Sequence, residues 1–367
     1  MGNSKYYLLG QLNQGASNYK DFTTQASAPS RPFTGRIRSW IDSLGVLNFL
    51  PNSGPGTKVA LTDDLTPYSK AVQGTLSSTS HDGNARGADA SDFQFSRDAV
   101  TKVASGARSF IAGGQKNTVS GADSFVGAGK GNIVSGLESF AAGEYNEVSG
   151  AKSAAVCSGN IISGDQSFAC GEGNNISTYG SFAEGNGNVI TGECCHAEGS
   201  LNECTESYSH AEGLCAKTYN LFQHAKAAWD FGCGDIKGEA QYTNIIARLE
   251  TPDDTPYELL VGEEGVISLM NNKMNTFRVL VVASDENISE GAAYEFKGLI
   301  KKGATAASTA IIGSVSKTVI AESDAAWDAD ITADTTNGAL CITVTGDDTN
   351  LTRWVAFVEM VEVAFYG

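Results

Sequence analysis

Three of the four histidines in this chain, His196, His210 and His224, stand fourteen residues apart. Two residues after the first two come Glu198 and Glu212, and Glu184 precedes the series at the same interval. Imidazole and carboxylate together ligate first-row transition metals, and imidazole titrates close to neutrality. If the spacing stacks these residues on one strand face, the row has two functional readings: a bound metal or anion, or a pH-sensitive seam. The plainer reading, which the pattern favours, is a hydrogen-bonded His and Glu ladder that fixes the register of neighbouring chains. No metal, cofactor or catalytic residue is therefore assigned from the sequence. Cys194, Cys195, His196 and Glu198 form a second cluster of ligand types, but without CxxC or HxxxH spacing they read as free, partly buried thiols beside the ladder.

The element that positions the histidines is a repeat. From Ser105 to about Gly232 the chain returns to the same pattern about every fourteen residues, as in SGLESFAAGEYNEV (135–148) and SGDQSFACGEGNNI (163–176). Helical repeats need more than thirty residues, whereas fourteen suffice for two short strands and two tight turns, so the period specifies a β-solenoid. Gly106, Gly121, Gly136, Gly150, Gly164 and Gly192 follow Ser or Thr and suit a turn with positive φ. Ser139, Phe140, Ala141 and Gly143 alternate small and large side chains, which is the period of a strand with the small residues inward and Phe outward. Stacking puts Phe110, Phe125, Phe140, Phe168 and Phe182 in one ladder and Asn146, Asn160, Asn174, Asn188 and Asn202 in another, the amides bonding along the column. Coils this small have little interior and leave the Phe face uncovered. Copies of the same chain are the simplest cover, and threefold packing suits a slender rod, so a homotrimer is expected.

The SxAxG and SGxxSFAxG rhythm resembles the left-handed parallel β-roll heads of trimeric autotransporter adhesins. The SHAEG variant at 209–213 resembles repeats in bacteriophage tail and appendage fibres. Both families are trimeric, and the resemblance implies a trimeric left-handed β-roll over about 130 residues. The start, MGNSKYYLLGQLNQG, has no secretory apolar core, and no run reaches the eighteen apolar residues of a membrane helix. An adhesin of that family needs both a signal and an anchor; a virion fibre assembled in the host cytoplasm needs neither. The eight cysteines occupy different repeat positions, which argues against a disulfide framework and agrees with that compartment.

The 367 residues leave room for more than the rod, and 41% hydrophobic content is adequate for folded β-structure. A net charge of −17 with no basic stripe excludes nucleic acid as a partner, and membrane insertion has no segment to carry it. After a neck at 225–238, residues 239–367 change character: TFRVLVVAS (276–284), AAYEFKGLI (292–300), STAIIGSVSKTVI (308–320), ALCITVTG (339–346) and RWVAFVEMVEVAF (353–365) are strands separated by turns. They predict an antiparallel, jelly-roll-like sandwich of about eight strands. The segment from Ala292 to Val363, with Trp327, TADTTNGAL (332–340) and RWVA (353–356), resembles a C-terminal domain of phage tail-fibre and appendage proteins. That resemblance implies a tip facing a host-surface glycan or protein. Among its aromatics Tyr294 and Trp354 read as core, while Trp327, in a Ser-Asp-Ala-Ala-Trp-Asp loop, is the one candidate for stacking on a sugar ring.

The resemblance to phage fibres implies that residues 1–80 are an arm that docks on a phage tail or capsid protein. A short amphipathic helix is expected over 35–49, with Ile37, Trp40, Ile41 and Leu44 on one face, and a second over 62–72. Residues 81–104 bridge the arm to the stalk at 105–224, with a degenerate coil over 91–104. The sequence as a whole predicts an all-β, non-enzymatic, homotrimeric virion fibre that binds a host receptor. The alternatives are a purely structural head fibre or appendage, and a glycan-degrading tailspike with paired carboxylates.

Overall fold

The computed structural model describes residue 84, residues 86–229 and residues 237–364, together with the backbone of three strands nearer the N-terminus. The chain divides into two units, Met1–Gly74 and Thr75–Gly367. In the first, Arg38–Ile41, Leu47–Leu50 and Thr57–Val59 form an antiparallel sheet in that order. The helix expected over 35–49 is thus replaced by a hairpin. A helix there would have to run through Gly45, at a cost of about 1 kcal/mol relative to Ala. The helix expected over 62–72 lies outside the described residues.

The second unit is all-β apart from one turn of 3₁₀-helix at Ala306–Ser308. Its first part is a parallel β-solenoid whose coils advance fifteen residues from Phe110 to Phe125 and Phe140, and fourteen at a time thereafter. Phe140–Glu144, Ala154–Ser158, Phe168–Glu172, Phe182–Asn186 and His196–Ser200 pair in strict parallel register. Two-residue strands such as Glu147–Val148 and Ile161–Ile162 form a second parallel sheet across the coil. Each coil encloses four small columns: Ser139, Ala141, Asn146 and Val148 are buried, followed one coil later by Ser153, Ala155, Asn160 and Ile162. The Asn column is bonded end to end, each Nδ2 donating to the preceding Oδ1 at 3.0–3.1 Å from Asn132 to Asn188. At its N-terminal end Gln94 takes the place of Asn, accepting from the Asn117 backbone N–H at 2.8 Å. Ala90, Gln94 and Ala104 are buried, and Ser91–Asp92 pairs in parallel with Phe110–Ile111 at this end of the sheet.

The glycines after Ser or Thr do not serve the purpose the sequence suggested. None of Gly106, Gly121, Gly136, Gly150, Gly164 or Gly192 has positive φ. A Cβ on any of them would lie 1.8–2.5 Å from a backbone atom of the next coil, so Gly is required by the closeness of stacked backbones. The left-handed residue comes two positions later and is Arg108, Asp123, Glu138, Lys152, Gln166, Cys194, Tyr208 or Phe222, with φ of 54–58°. A single left-handed residue costs about 1–2 kcal/mol, which the rest of the coil offsets.

The C-terminal part is a sandwich of nine strands, two of them only two residues long. Ala310–Glu322, Gly291–Lys302, Lys273–Asp285, Thr352–Ala364 and Ala240–Thr251 form one antiparallel sheet in that order. The segments expected at 276–284 and 292–300 lie within Lys273–Asp285 and Gly291–Lys302, and those at 308–320, 339–346 and 353–365 overlap Ala310–Glu322, Ala339–Thr345 and Thr352–Ala364 to within two residues. The smaller sheet joins Tyr257–Glu258, Ala339–Thr345 and Ile267–Ser268, with Asp328–Asp334 alongside. Phe277, Val279, Tyr294, Phe296, Trp354 and Val358 pack between the layers against Leu259, Ile267, Trp327 and Ile342. Trp327 is 1% exposed, with its ring centroid 5.9 Å from that of Trp354. It is a core residue with no face to offer a sugar, because the Asp-Ala-Ala turn before it folds the indole inward rather than out. Solenoid and sandwich share one sheet: His224–Ala227 pairs antiparallel with Ala240–Thr251, so the larger sheet runs unbroken from coil to tip.

Candidate functional site

The outward position of the long solenoid strand carries the chemistry. It lies between two buried residues, a Ser, Cys or Gln before it and an Ala, Val or Ile after it, so strand alternation points its side chain out, where it stacks on its equivalents. Phe110 and Phe125 stack at 5.3 Å, Phe125 and Phe140 at 5.4 Å, and Phe168 and Phe182 at 5.2 Å, with Ala154 interrupting the row. Phe182 then meets His196 edge-on at 5.0 Å. His196 and His210 lie 4.6 Å apart with ring planes within 10°, and His210 and His224 lie 4.5 Å apart within 3°. The spacing of fourteen does bring the three rings into one stack.

Two residues on, the same face presents Glu184, Glu198 and Glu212 in register, and the next member of the column is Lys226. Glu198 Oε1 is 3.8 Å from His210 Nε2, and Glu212 Oε1 is 3.5 Å from His224 Nε2. Both exceed a good hydrogen bond, and the Nε2 atoms of all three histidines are buried without a hydrogen-bond partner. Burial holds His210 down to about 4, helped by the neighbouring His224 and His196 and opposed by Glu212. His210 is therefore neutral at pH 7. The two glutamates differ. Lys226 Nζ, 2.9 Å from Glu212 Oε1, holds the Glu212 carboxyl below its ordinary range. Burial and the nearby Glu212 push Glu198 up.

The cysteine cluster does not assemble. Cys194 is exposed in the turn, while Cys195 occupies the buried Ser column with its Sγ 3.1 Å from the Glu206 carbonyl, and His196 points outward. Sequence reading missed a different pairing: Cys195 and Cys204 stand in the Ser and Ile columns of one coil and are both buried in its interior, with Cys204 Sγ donating to the His196 carbonyl at 3.3 Å. Their mutual influence lowers the Cys195 thiol to about 6 and raises Cys204. The column assignments contained that signal. Every cysteine among the described residues is free.

A second surface continues the first. In the antiparallel register His224 lies opposite Asn244, Asn244 opposite Glu359, and Glu359 opposite Arg278, so the His face of the solenoid becomes the outer face of the sandwich. That face is rich in uncovered apolar side chains: Ile246, Met274, Val282, Val355, Val361 and Val363 are 42–60% exposed. One polar row crosses it, where Arg278 bridges Glu295 and Glu359, and Tyr242 donates to Glu359 at 2.8 Å. Beside it, Thr276, Arg278, Lys297, Gly298 and Val361 line a shallow depression of about 360 Å³.

No protein-family model matches this sequence, and no curated protein is similar to it in sequence. Among solved structures it is similar to gp49, a tailspike protein from the Acinetobacter baumannii bacteriophage Fri1 and a capsular polysaccharide depolymerase, at 6% identity and a TM-score of 0.23. The likeness covers 70% of this chain and 62% of that one, so this chain spans less than two thirds of the tailspike's length.

Proposed function

We propose that this chain is the subunit of a homotrimeric bacteriophage virion fibre, docked on the tail or capsid by its N-terminal segment and presenting its C-terminal sandwich to a host-surface glycan or protein. The observation that carries the proposal is the single sheet face described above. It exposes stacked aromatic rings along the solenoid and six large aliphatic side chains on the sandwich, and the described residues of the chain leave it open. A contiguous apolar face of that kind marks an interaction surface. Because the row repeats coil by coil, the partner that matches its rise is another copy of the same ladder, and a closed ring of copies covers every such face.

The arrangement favours structure over catalysis. Carboxylates of the solenoid recur as columns, such as Glu184, Glu198 and Glu212, rather than as a pair facing across a groove. On this reading the sandwich meets the host, and the net charge of −17 suits a soluble appendage rather than a nucleic-acid binder. Adsorption tests the reading: the full chain, fluorescently labelled, should bind cells of the bacterium that its virus infects and should slow infection when added in excess. Failure to bind those cells would remove the receptor role and leave a purely structural appendage. New reducing ends released from host capsule or lipopolysaccharide would overturn the non-enzymatic reading in favour of a tailspike.

A further inference from the structure

We infer that His196, Glu198 and His210 form a binding site for one first-row transition-metal dication per chain. Two imidazoles and a carboxylate project from the same face of adjacent coils, and one ligand atom from each lies within 4.8 Å of the others. Two histidines and one carboxylate are a sufficient set for such an ion, with the remaining positions open to water. The inference concerns a single chain and does not depend on the fibre reading.

Two observations select this set. The first is the state of the rings. A ladder that only fixed register would hydrogen-bond its imidazoles, yet Nε2 of His196 and of His210 is buried without a partner, and Glu198 at 3.8 Å is too far to supply one. An unmade bond of this kind typically costs about 1–3 kcal/mol, and a metal ion would satisfy both nitrogens at once. The second is charge. His210, Glu212 and His224 repeat the same residue types one coil later, but Lys226 Nζ lies 2.9 Å from Glu212 Oε1. An ammonium already occupies that carboxylate, and a dication there would meet like charge. On the Glu198 side the neighbouring column member is Glu184, a further negative group. Two sets that look equivalent in sequence are therefore chemically unequal. The parallel rings, 4.6 Å between centroids, must converge slightly, since two nitrogens each about 2.0–2.1 Å from zinc lie at most about 4 Å apart. Rotation of one half-buried ring about its χ2 achieves this.

Isothermal titration of the tag-free full chain with Zn²⁺, together with the visible spectrum of the Co²⁺-loaded chain, tests the site. One ion per chain is expected. His210→Phe is safe for folding because five other coils carry Phe at that position. It and Glu198→Gln should each lower Zn²⁺ affinity on the order of 100-fold or more, since even outer partners of a metal site cost 10–100-fold. His224→Phe and Glu212→Gln should leave affinity within about threefold and leave the Co²⁺ spectrum unchanged. Absence of Zn²⁺ binding would overturn the inference. So would binding that survives His210→Phe, or that is lost equally with Glu212→Gln.

Discussion

Asn160→Ala probes the bonded column that holds the coils in register. Asn160 is fully buried. Its Nδ2 donates to Asn146 Oδ1 at 3.0 Å, to the Val156 carbonyl at 2.8 Å and to the Gly171 carbonyl at 2.9 Å. Its Oδ1 accepts from the backbone N–H and the side chain of Asn174 at 3.1 and 3.0 Å. Net contributions are about 1 kcal/mol per bond, and one of the three donor contacts is shared because the amide has two hydrogens. The substitution should therefore cost about 4 kcal/mol, with the Asn174 N–H left without an acceptor. Asn160→Asp, nearly the same shape, should cost at least as much at pH 7, since it turns a carboxylate toward two carbonyls and an amide oxygen. Urea unfolding of the full chain, followed by circular dichroism, reads the global loss. Hydrogen exchange at the Asn174 amide reads the local one, which matters because repeat arrays do not always unfold in one step. Ile161→Thr, on the exposed side of the next residue, is the control and should fall within about 0.5 kcal/mol. A loss below about 1 kcal/mol for Asn160→Ala, or an Asn160→Asp variant as stable as the parent, would refute the claim that the amide column carries the register.

Three further outcomes follow from named contacts. His210 has a folded value of about 4, below the 6.5 of a free imidazole, so the unfolded chain takes up the proton first; stability is full above about pH 6.5 and falls on acidification. With chelator present, the parent should lose up to about 3 kcal/mol between pH 6.5 and 4 from this group, and His210→Phe should flatten the melting temperature over that range. A slope unchanged by the substitution would contradict the assignment. Gly150→Ala, whose Cβ would sit 2.0 Å from the Gly164 carbonyl, should cost about 3 kcal/mol or more in thermal unfolding. Gly173→Ala, with open space but φ of +67°, should cost only about 1–2 kcal/mol. Lys273 and Glu362 form a fully buried ion pair at 2.6 Å, so Lys273→Met alone should cost about 3–5 kcal/mol, and adding Glu362→Leu should recover most of it.

The solenoid was legible because a repeat prints its packing directly on the sequence: Ser, Ala, Asn and Ile recur at fixed intervals, and each interval is a column. The Phe-to-His ladder was legible for the same reason. What escaped was set by contacts that no local pattern encodes. Gly106 and its equivalents are glycines because another coil's backbone passes over them, while the left-handed turn falls on residues as ordinary as Glu138 and Lys152. Trp327 looked exposed because it follows polar turn residues, yet the turn buries it against Trp354. The hairpin at 38–50 has apolar spacing that also suits a helix, and strand pairing decided between them. The continuity of solenoid and sandwich rests on one antiparallel pairing, of His224–Ala227 with Ala240–Thr251, that joins two unlike sequence patterns.

Sedimentation equilibrium of the purified full chain tests the central proposal most directly. A homotrimer built on the shared apolar face gives roughly three times the chain mass of 38.3 kDa at micromolar concentration, and Val355→Lys with Val361→Lys on that face weakens it toward the single-chain mass. A parent protein that sediments as a single 38.3 kDa chain, or a trimer indifferent to those two lysines, would contradict the account.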